Sequence, residues 1–210
     1  MSKNKNASFF SKYPKAERSI IFEVPIFVIE IFNVDFNQIN KDIEELGNSK
    51  ITSDIKDSIY EDSNFPNTPA CIDLKNKILE EVEKTIGQEM ICERIWTIIL
   101  SEGQSVNYHT HDSNTHMHPL DYWSISFYTK VPEGSSDFIF YLNFCNKIIH
   151  PVYIPAKIGK MMIFNSYLPH MTSRHNSKET RIVVSANFIP KNPNTKPIPD
   201  WKDYKDSSIM

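Results

Sequence analysis

The chain has 210 residues, 40% of them hydrophobic and 12% aromatic, which is enough for one substantial core and too apolar for general disorder. Its 23 basic and 26 acidic residues leave a net charge of −3, so no overall basic field draws it to nucleic acid or to an anionic membrane. Cys71, Cys92 and Cys145 are odd in number and lack CxxC spacing, which speaks against a disulfide framework and a thiolate zinc site and fits a reducing cytoplasm.

Residues 1–19 are rich in Lys, Asn and Ser and read as a flexible N-terminal arm. They hold no apolar signal core, and nowhere does an apolar run approach the roughly 20 residues needed to cross a bilayer. The expectation is a cytoplasmic protein without a membrane partner. Ile20 to Phe32, IIFEVPIFVIEIF, is dense in β-branched and aromatic residues, and Pro25 suggests an edge or bent strand. Asp35 then stands as N-cap of a helix with apolar positions at Phe36, Ile39, Ile43 and Leu46, ending at Gly47. Asn48 to Pro69, punctuated by Pro66 and Pro69, reads as a long loop. A second amphipathic helix over Ile72 to Ile86 carries Leu74, Ile78, Leu79 and Val82 on one face and ends at Gly87.

Beyond Met90 the period changes to that of strands: ICERIWTIIL, SVNYHTH, YWSISFYTKV, DFIFYLNF, IIHPVYI, GKMMIFN and RIVVSANFI, separated by Gly, Pro, Asn or Ser turns. Helices followed by many short strands predict an α+β fold in which a closed or sandwich-like barrel encloses a small interior. Residues 20–189 form one domain on this reading. The proline-rich stretch 190–210 is expected to run extended over the surface.

The stretch GQSVNYHTHDSNTHMH, Gly103 to His118, places four of the seven histidines within ten positions. On a strand, side chains at i and i+2 share a face, so His109 and His111 could grip one ion, and His170, after the apolar run GKMMIFN, is the candidate distant partner. An isolated His-x-His pair is more often a surface feature. Here the pair ends a strand-like run, a second pair (His116, His118) follows, and Arg181 opens the β-run RIVVSANF.

Three stretches resemble the iron(II)- and 2-oxoglutarate-dependent oxygenases: ILSEGQSVNYHTHD, leading to the first ligand pair; GKMMIFNSYLPHMTS, bearing the distal ligand; and RIVVSANF, bearing the cosubstrate arginine. EVPIFVIEIFNVDFNQINKDI is similar to the opening of a bacterial and phage group of these oxygenases with His-x-His in place of His-x-Asp. The resemblance implies a double-stranded β-helix (jelly-roll) barrel and the cofactors Fe(II) and 2-oxoglutarate. It implies metal ligands His109, His111 and His170, with Arg181 holding the far carboxylate of 2-oxoglutarate and Tyr128 offering a hydroxyl to it. The activity implied is that of a dioxygenase, a hydroxylase acting on a small-molecule or a protein or peptide substrate.

Two alternatives stand beside this. Counted back from YWSISFY, His116 and His118 fit the ligand pair, whereas a continuous hairpin from Trp96 through Gly103 favours His109 and His111. Asp112 could also supply a carboxylate through a bulge. Gly103 followed by His109-x-His111 also fits the first motif of a cupin-like metal protein, which would not need Arg181. Phe127, Phe138, Phe140, Ile163 and Phe164 read as core residues. His150 and His175 read as structural or exposed.

Overall fold

The computed structural model of the chain describes residues 25–48, 65–111, 122–144 and 147–192. The stretches read above as an arm, most of the loop between the helices, and nearly all of the tail lie outside the described residues, as do Asp112, His116 and His118.

Two helices pack on one face of the molecule. Helix α1, Phe36–Asn48, starts where expected, because the Asp35 carboxylate accepts a 3.0 Å bond from the Gln38 N–H and satisfies one of the first-turn donors. Helix α2, Pro69–Ile86, begins three residues before Ile72. Thr68 and Pro69, taken above as loop punctuation, are its start signal: the Thr68 hydroxyl accepts from the Cys71 N–H, and Pro69 occupies the first turn, where no donor is lost. Gly87 closes α2 in the left-handed region (φ 80°), and its N–H bonds to the Glu83 carbonyl at 2.8 Å.

Eight strands form two antiparallel sheets: β1 (Ile26–Glu30), β2 (Met90–Leu100), β3 (Trp123–Lys130), β4 (Phe138–Phe144), β5 (Lys147–Ile154), β6 (Lys160–Asn165), β7 (His170–Thr172) and β8 (Arg181–Pro190). The larger sheet runs β1-β6-β3-β8-β2 and the smaller β5-β4-β7. β1 is an edge strand, as Pro25 suggested. β8 reaches Pro190, where it pairs with Met90, so the sheet extends one residue beyond the expected domain end.

Two strand expectations are corrected. SVNYHTH forms no regular strand, and β2 makes no hairpin with it, since β2 pairs with β8. Instead Gly103 (φ 85°) turns the chain out of the larger sheet, and residues 104–111 run irregularly beside β7, joined to it by an isolated bridge between His109 and His170. The run GKMMIFNSYLPHMTS is likewise divided. It forms β6 in the larger sheet, turns at Ser166 to Pro169, and enters the smaller sheet as β7, so His170 begins a strand rather than ending one. β7 and β8 therefore face one another from opposite sheets instead of lying side by side. From β2 onward the chain crosses between sheets at β2, 104–111, β3, β4–β5, β6, β7 and β8, which is the winding of a double-stranded β-helix.

The period-two pleat separates two cores. Ile125, Phe127, Met161, Ile163, Val184 and Phe188 face outward and bury Ile39, Ile43, Leu74, Ile78 and Val82 of the helices. Tyr128, Phe138, Phe140, Met162, Phe164 and Val183 face inward and fill part of the barrel.

Candidate active site

The rest of the barrel interior is a cavity of about 280 Å³, at the small end of the range for ligand sites. His109, His111 and His170 line it together, and so does Arg181. Main-chain pairing sets the triad. The N–H of His109 bonds to the His170 carbonyl (3.0 Å), and the N–H of His170 returns to the His109 carbonyl (2.9 Å). The N–H of His111 reaches the Ser166 carbonyl at 2.9 Å. Alternation along 109–111 then turns both rings inward, as the His-x-His spacing predicts.

One nitrogen of each ring is held by the protein. His109 Nδ1 lies 2.6 Å from the Asn107 carbonyl, His170 Nδ1 lies 2.8 Å from the Leu168 carbonyl, and His111 Nδ1 lies 2.9 Å from Asn187 Oδ1. Carbonyl oxygens only accept, so each ring donates from Nδ1 and presents an Nε2 lone pair. The ligating atoms of the three rings lie within 4.8 Å of one another, and the Nε2 atoms of His109 and His111 are 3.1 Å apart. Two nitrogens each about 2.1 Å from one ion at right angles stand about 3.0 Å apart, so the triad has the spacing of a metal-binding set. Imidazoles suit first-row transition metals, iron among them, and three protein ligands leave positions open.

Burial disfavours the charged form of two of these rings. Burial, followed by the proximity of His109 and His111, holds His170 well below the ordinary histidine range, and burial likewise lowers His109. Phe138 stacks on the His170 ring at 5.0 Å and Phe164 meets it edge-on at 5.0 Å. These two phenylalanines, read from the sequence as plain core, thus form the apolar wall behind the triad, and Phe138 lines the cavity. Phe127 and Ile163 are core as expected, on the outer face.

Arg181 is buried (2% exposed) and donates from one terminal nitrogen to both the carbonyl and the hydroxyl of Ser136. Its Nε has no hydrogen-bond partner among the described residues. The guanidinium lies 5.0 Å above the Tyr128 ring, whose fully buried hydroxyl is also unpartnered among the described residues. Burying a cation with an open donor costs free energy, which an anion in the cavity would offset. Burial accordingly lowers the Arg181 pKa, against the opposing influence of Tyr128 and Asp137. His175 is structural: its ring bonds the Glu179 carbonyl (2.7 Å) and its main chain ties down Gly103 and Gln104. His150 lies where side chains are outside the described residues.

Several cavity residues were not foreseen. Asn187, Ser185 and Val183 share the inward face with Arg181, and the same alternation brings in Ser126, Trp96 and Ile98, while Ser124 bonds to Asn187. The signal was present in RIVVSANF: two polar residues at the parity of Arg181 in an otherwise apolar strand mark the inward face.

Residues 94–187, from β2 to near the end of β8, match the family described as "Putative 2OG-Fe(II) oxygenase". No curated protein sequence matches the chain significantly. Among solved structures, the chain is similar to the non-heme alpha ketoglutarate dependent carbocyclase SnoK from nogalamycin biosynthesis (11% identity, TM-score 0.63, 94% of this chain and 88% of that one). It is also similar to a Pseudomonas putida prolyl-4-hydroxylase (9% identity, TM-score 0.52, 80% and 88%). Against an oxidoreductase of the 2OG-Fe(II) oxygenase family from Burkholderia pseudomallei (10% identity, TM-score 0.47), the match covers 60% of this chain and spans 59% of that chain's length. At these identities the structures speak for the fold, the double-stranded β-helix, and the family match covers the barrel that holds the triad. The barrel of this chain thus matches the family of the 2OG-Fe(II) oxygenases, which implies iron(II) and 2-oxoglutarate as cofactors.

Proposed function

We propose that the protein is a hydroxylase in which His109, His111 and His170 bind Fe(II) through their Nε2 atoms, while Arg181, assisted by the Tyr128 hydroxyl, holds the far carboxylate of 2-oxoglutarate. One observation carries this reading: a convergent imidazole triad shares a single cavity with a buried arginine that has an open donor. A cupin-like metal protein needs the triad but has no use for that arginine.

Bound iron and 2-oxoglutarate supply the oxidising chemistry, driven by decarboxylation of the cosubstrate; the protein's part is to bind, orient and shield. The Nδ1 anchors fix the three rings before any ion arrives. The planar guanidinium of Arg181 offers the fork geometry that a carboxylate accepts. Phe138, Ile98, Val106 and Val183 keep much of the wall apolar, which limits water around the reacting centre. The substrate is a small molecule, a peptide or a protein. No helix among the described residues is long and apolar enough to cross a membrane.

The test is anaerobic addition of Fe(II) to the purified protein, followed by 2-oxoglutarate. The expected result is a visible metal-to-ligand charge-transfer band that appears only with both. Fe(II) binding with no band after saturating 2-oxoglutarate would move the reading to the cupin-like alternative.

A further inference from the structure

The triad contains no carboxylate, yet a carboxylate is wired to it. In β2 the register against β8 slips between Cys92 and Arg94, opposite Phe188 and Asn187, so Glu93 is the extra residue of a β-bulge. A bulge re-aims side chains: here Glu93 and Arg94, though consecutive, both line the cavity. Glu93 Oε2 accepts from the Tyr122 hydroxyl at 2.6 Å, and the Tyr122 oxygen accepts from the Asn187 amide at 2.9 Å. Asn187 Oδ1 in turn faces His111 Nδ1 at 2.9 Å.

The direction of the chain is determined at each link. Tyr122 gives its only proton to Glu93 and can only accept from Asn187, so the amide nitrogen faces Tyr122 and Oδ1 faces His111 Nδ1 and the Ser124 hydroxyl, which itself lies 3.0 Å from His111 Nδ1. Burial, then the bond to Glu93 and its charge, raises the Tyr122 pKa, so its hydroxyl keeps its proton and donates. Every donor from His111 onward therefore points toward Glu93. Hydrogen bonds aligned head to tail polarise one another, and a negative charge at the acceptor end draws the His111 Nδ1 proton outward and enriches its Nε2 lone pair.

We infer that Glu93 is a positioning residue for the metal centre, acting on His111 through Tyr122 and Asn187 and supplying at a distance the negative charge that the triad lacks. This rests on the reading of His111 as a metal ligand. It gives the bulge a purpose: without the extra residue Glu93 could not share the inward face with Arg94.

The experiment measures Fe(II) affinity under anaerobic conditions, by competition with a chelator, for the wild type, Glu93→Gln, Tyr122→Phe and the double variant. Each single change is expected to weaken Fe(II) by about 10-fold, in the range found for residues that orient metal ligands. The double variant is expected to be no weaker than either single one, because one broken link already silences the chain. Co(II)-loaded Glu93→Gln should also show shifted visible absorption bands, which a merely structural role would leave in place. Singles within twofold of the wild type, effects that multiply in the double variant, or unshifted Co(II) bands would overturn the inference while leaving the triad standing. A wild type that binds neither Fe(II) nor Co(II) would overturn the triad and this inference together.

Discussion

The two faces of the larger sheet are built from the same strands and perform opposite tasks. On β8 the outward residues Ile182, Val184, Ala186 and Phe188 pack into the core beneath the helices, while the inward Arg181, Val183, Ser185 and Asn187 line the cavity. On β3 the outward set is Trp123, Ile125 and Phe127, and the inward set Ser124, Ser126 and Tyr128. Outward burial of apolar area stabilises the fold. Inward burial of hydroxyls, imidazoles and a guanidinium costs stability wherever a polar atom lacks a partner, and among the described residues Arg181 Nε and the Tyr128 hydroxyl are two such atoms on this face. The difference teaches that this barrel is held together from outside and functions inside, so the two properties should separate under mutation.

The largest expected separation comes from His170→Ala. One ring lost from the inner face should take Fe(II) binding from stoichiometric to undetectable by metal analysis after desalting, with circular dichroism unchanged. Full metal content in this variant would show that the triad is not the binding set. Phe127→Ala is the converse. Phe127 is fully buried on the outer face and stacks on Phe36 at 6.1 Å. The loss should be about 3–5 kcal/mol in urea unfolding, a large part of a typical domain's stability. The folded fraction should still bind Fe(II) at wild-type affinity, and an equal loss of affinity would erase the division between faces.

Arg181→Ala comes next. Hydrogen bonds to charged groups contribute about 1.5–3 kcal/mol each, so losing the guanidinium should weaken 2-oxoglutarate by at least about 30-fold, taking about 2 kcal/mol at 1.4 kcal/mol per tenfold. Fe(II) affinity should barely change, and Arg181→Lys should recover only part, since a point charge cannot reproduce the fork. Calorimetric titration of 2-oxoglutarate into the iron-loaded variants would decide it. Unchanged affinity in Arg181→Ala would remove the arginine from the cosubstrate site.

What was legible in the sequence follows the range of the physics. Local periodicity was sufficient for α1, for most of α2 and for most strands, because helix and strand repeats act over a few residues, but it wrongly gave SVNYHTH as a strand and missed the short β7. The partners of each strand were not legible, since pairing is non-local: β2 with β8, and β7 facing β8 across the barrel, depend on a Gly103 turn whose direction its neighbours do not encode. The convergence of His109, His111 and His170 could be anticipated because the two nearer rings share a strand parity and His170, after the apolar run GKMMIFN, stood out as the distant partner. Asn187 and Glu93 escaped for different reasons. Asn187 sat at a readable parity that was not followed inward, whereas the Glu93 bulge exists only by comparison with β8.

The smallest expected effect is also the most diagnostic, because its two parts have opposite signs. Tyr128 lies beneath Arg181 with its hydroxyl fully buried and without a partner among the described residues. Burial pushes its pKa up to about 12, with Arg181 opposing, so the hydroxyl stays protonated and is a donor near neutral pH. An unsatisfied buried hydroxyl costs about 1–3 kcal/mol, and Tyr128→Phe removes it while keeping an aromatic face under the cation. The ligand-free variant should therefore be more stable in urea unfolding, by about 1 kcal/mol. With 2-oxoglutarate present the sign reverses: one donor to the carboxylate is gone, and affinity should fall by about 10-fold, equivalent to about 1.4 kcal/mol. Because the phenol does not ionise below about pH 10, the ratio of wild-type to variant affinity should stay flat between about pH 6 and 9. Stability and affinity both falling would mean that the hydroxyl serves the protein rather than the ligand, and Tyr128 would then belong with the structural residues of the barrel.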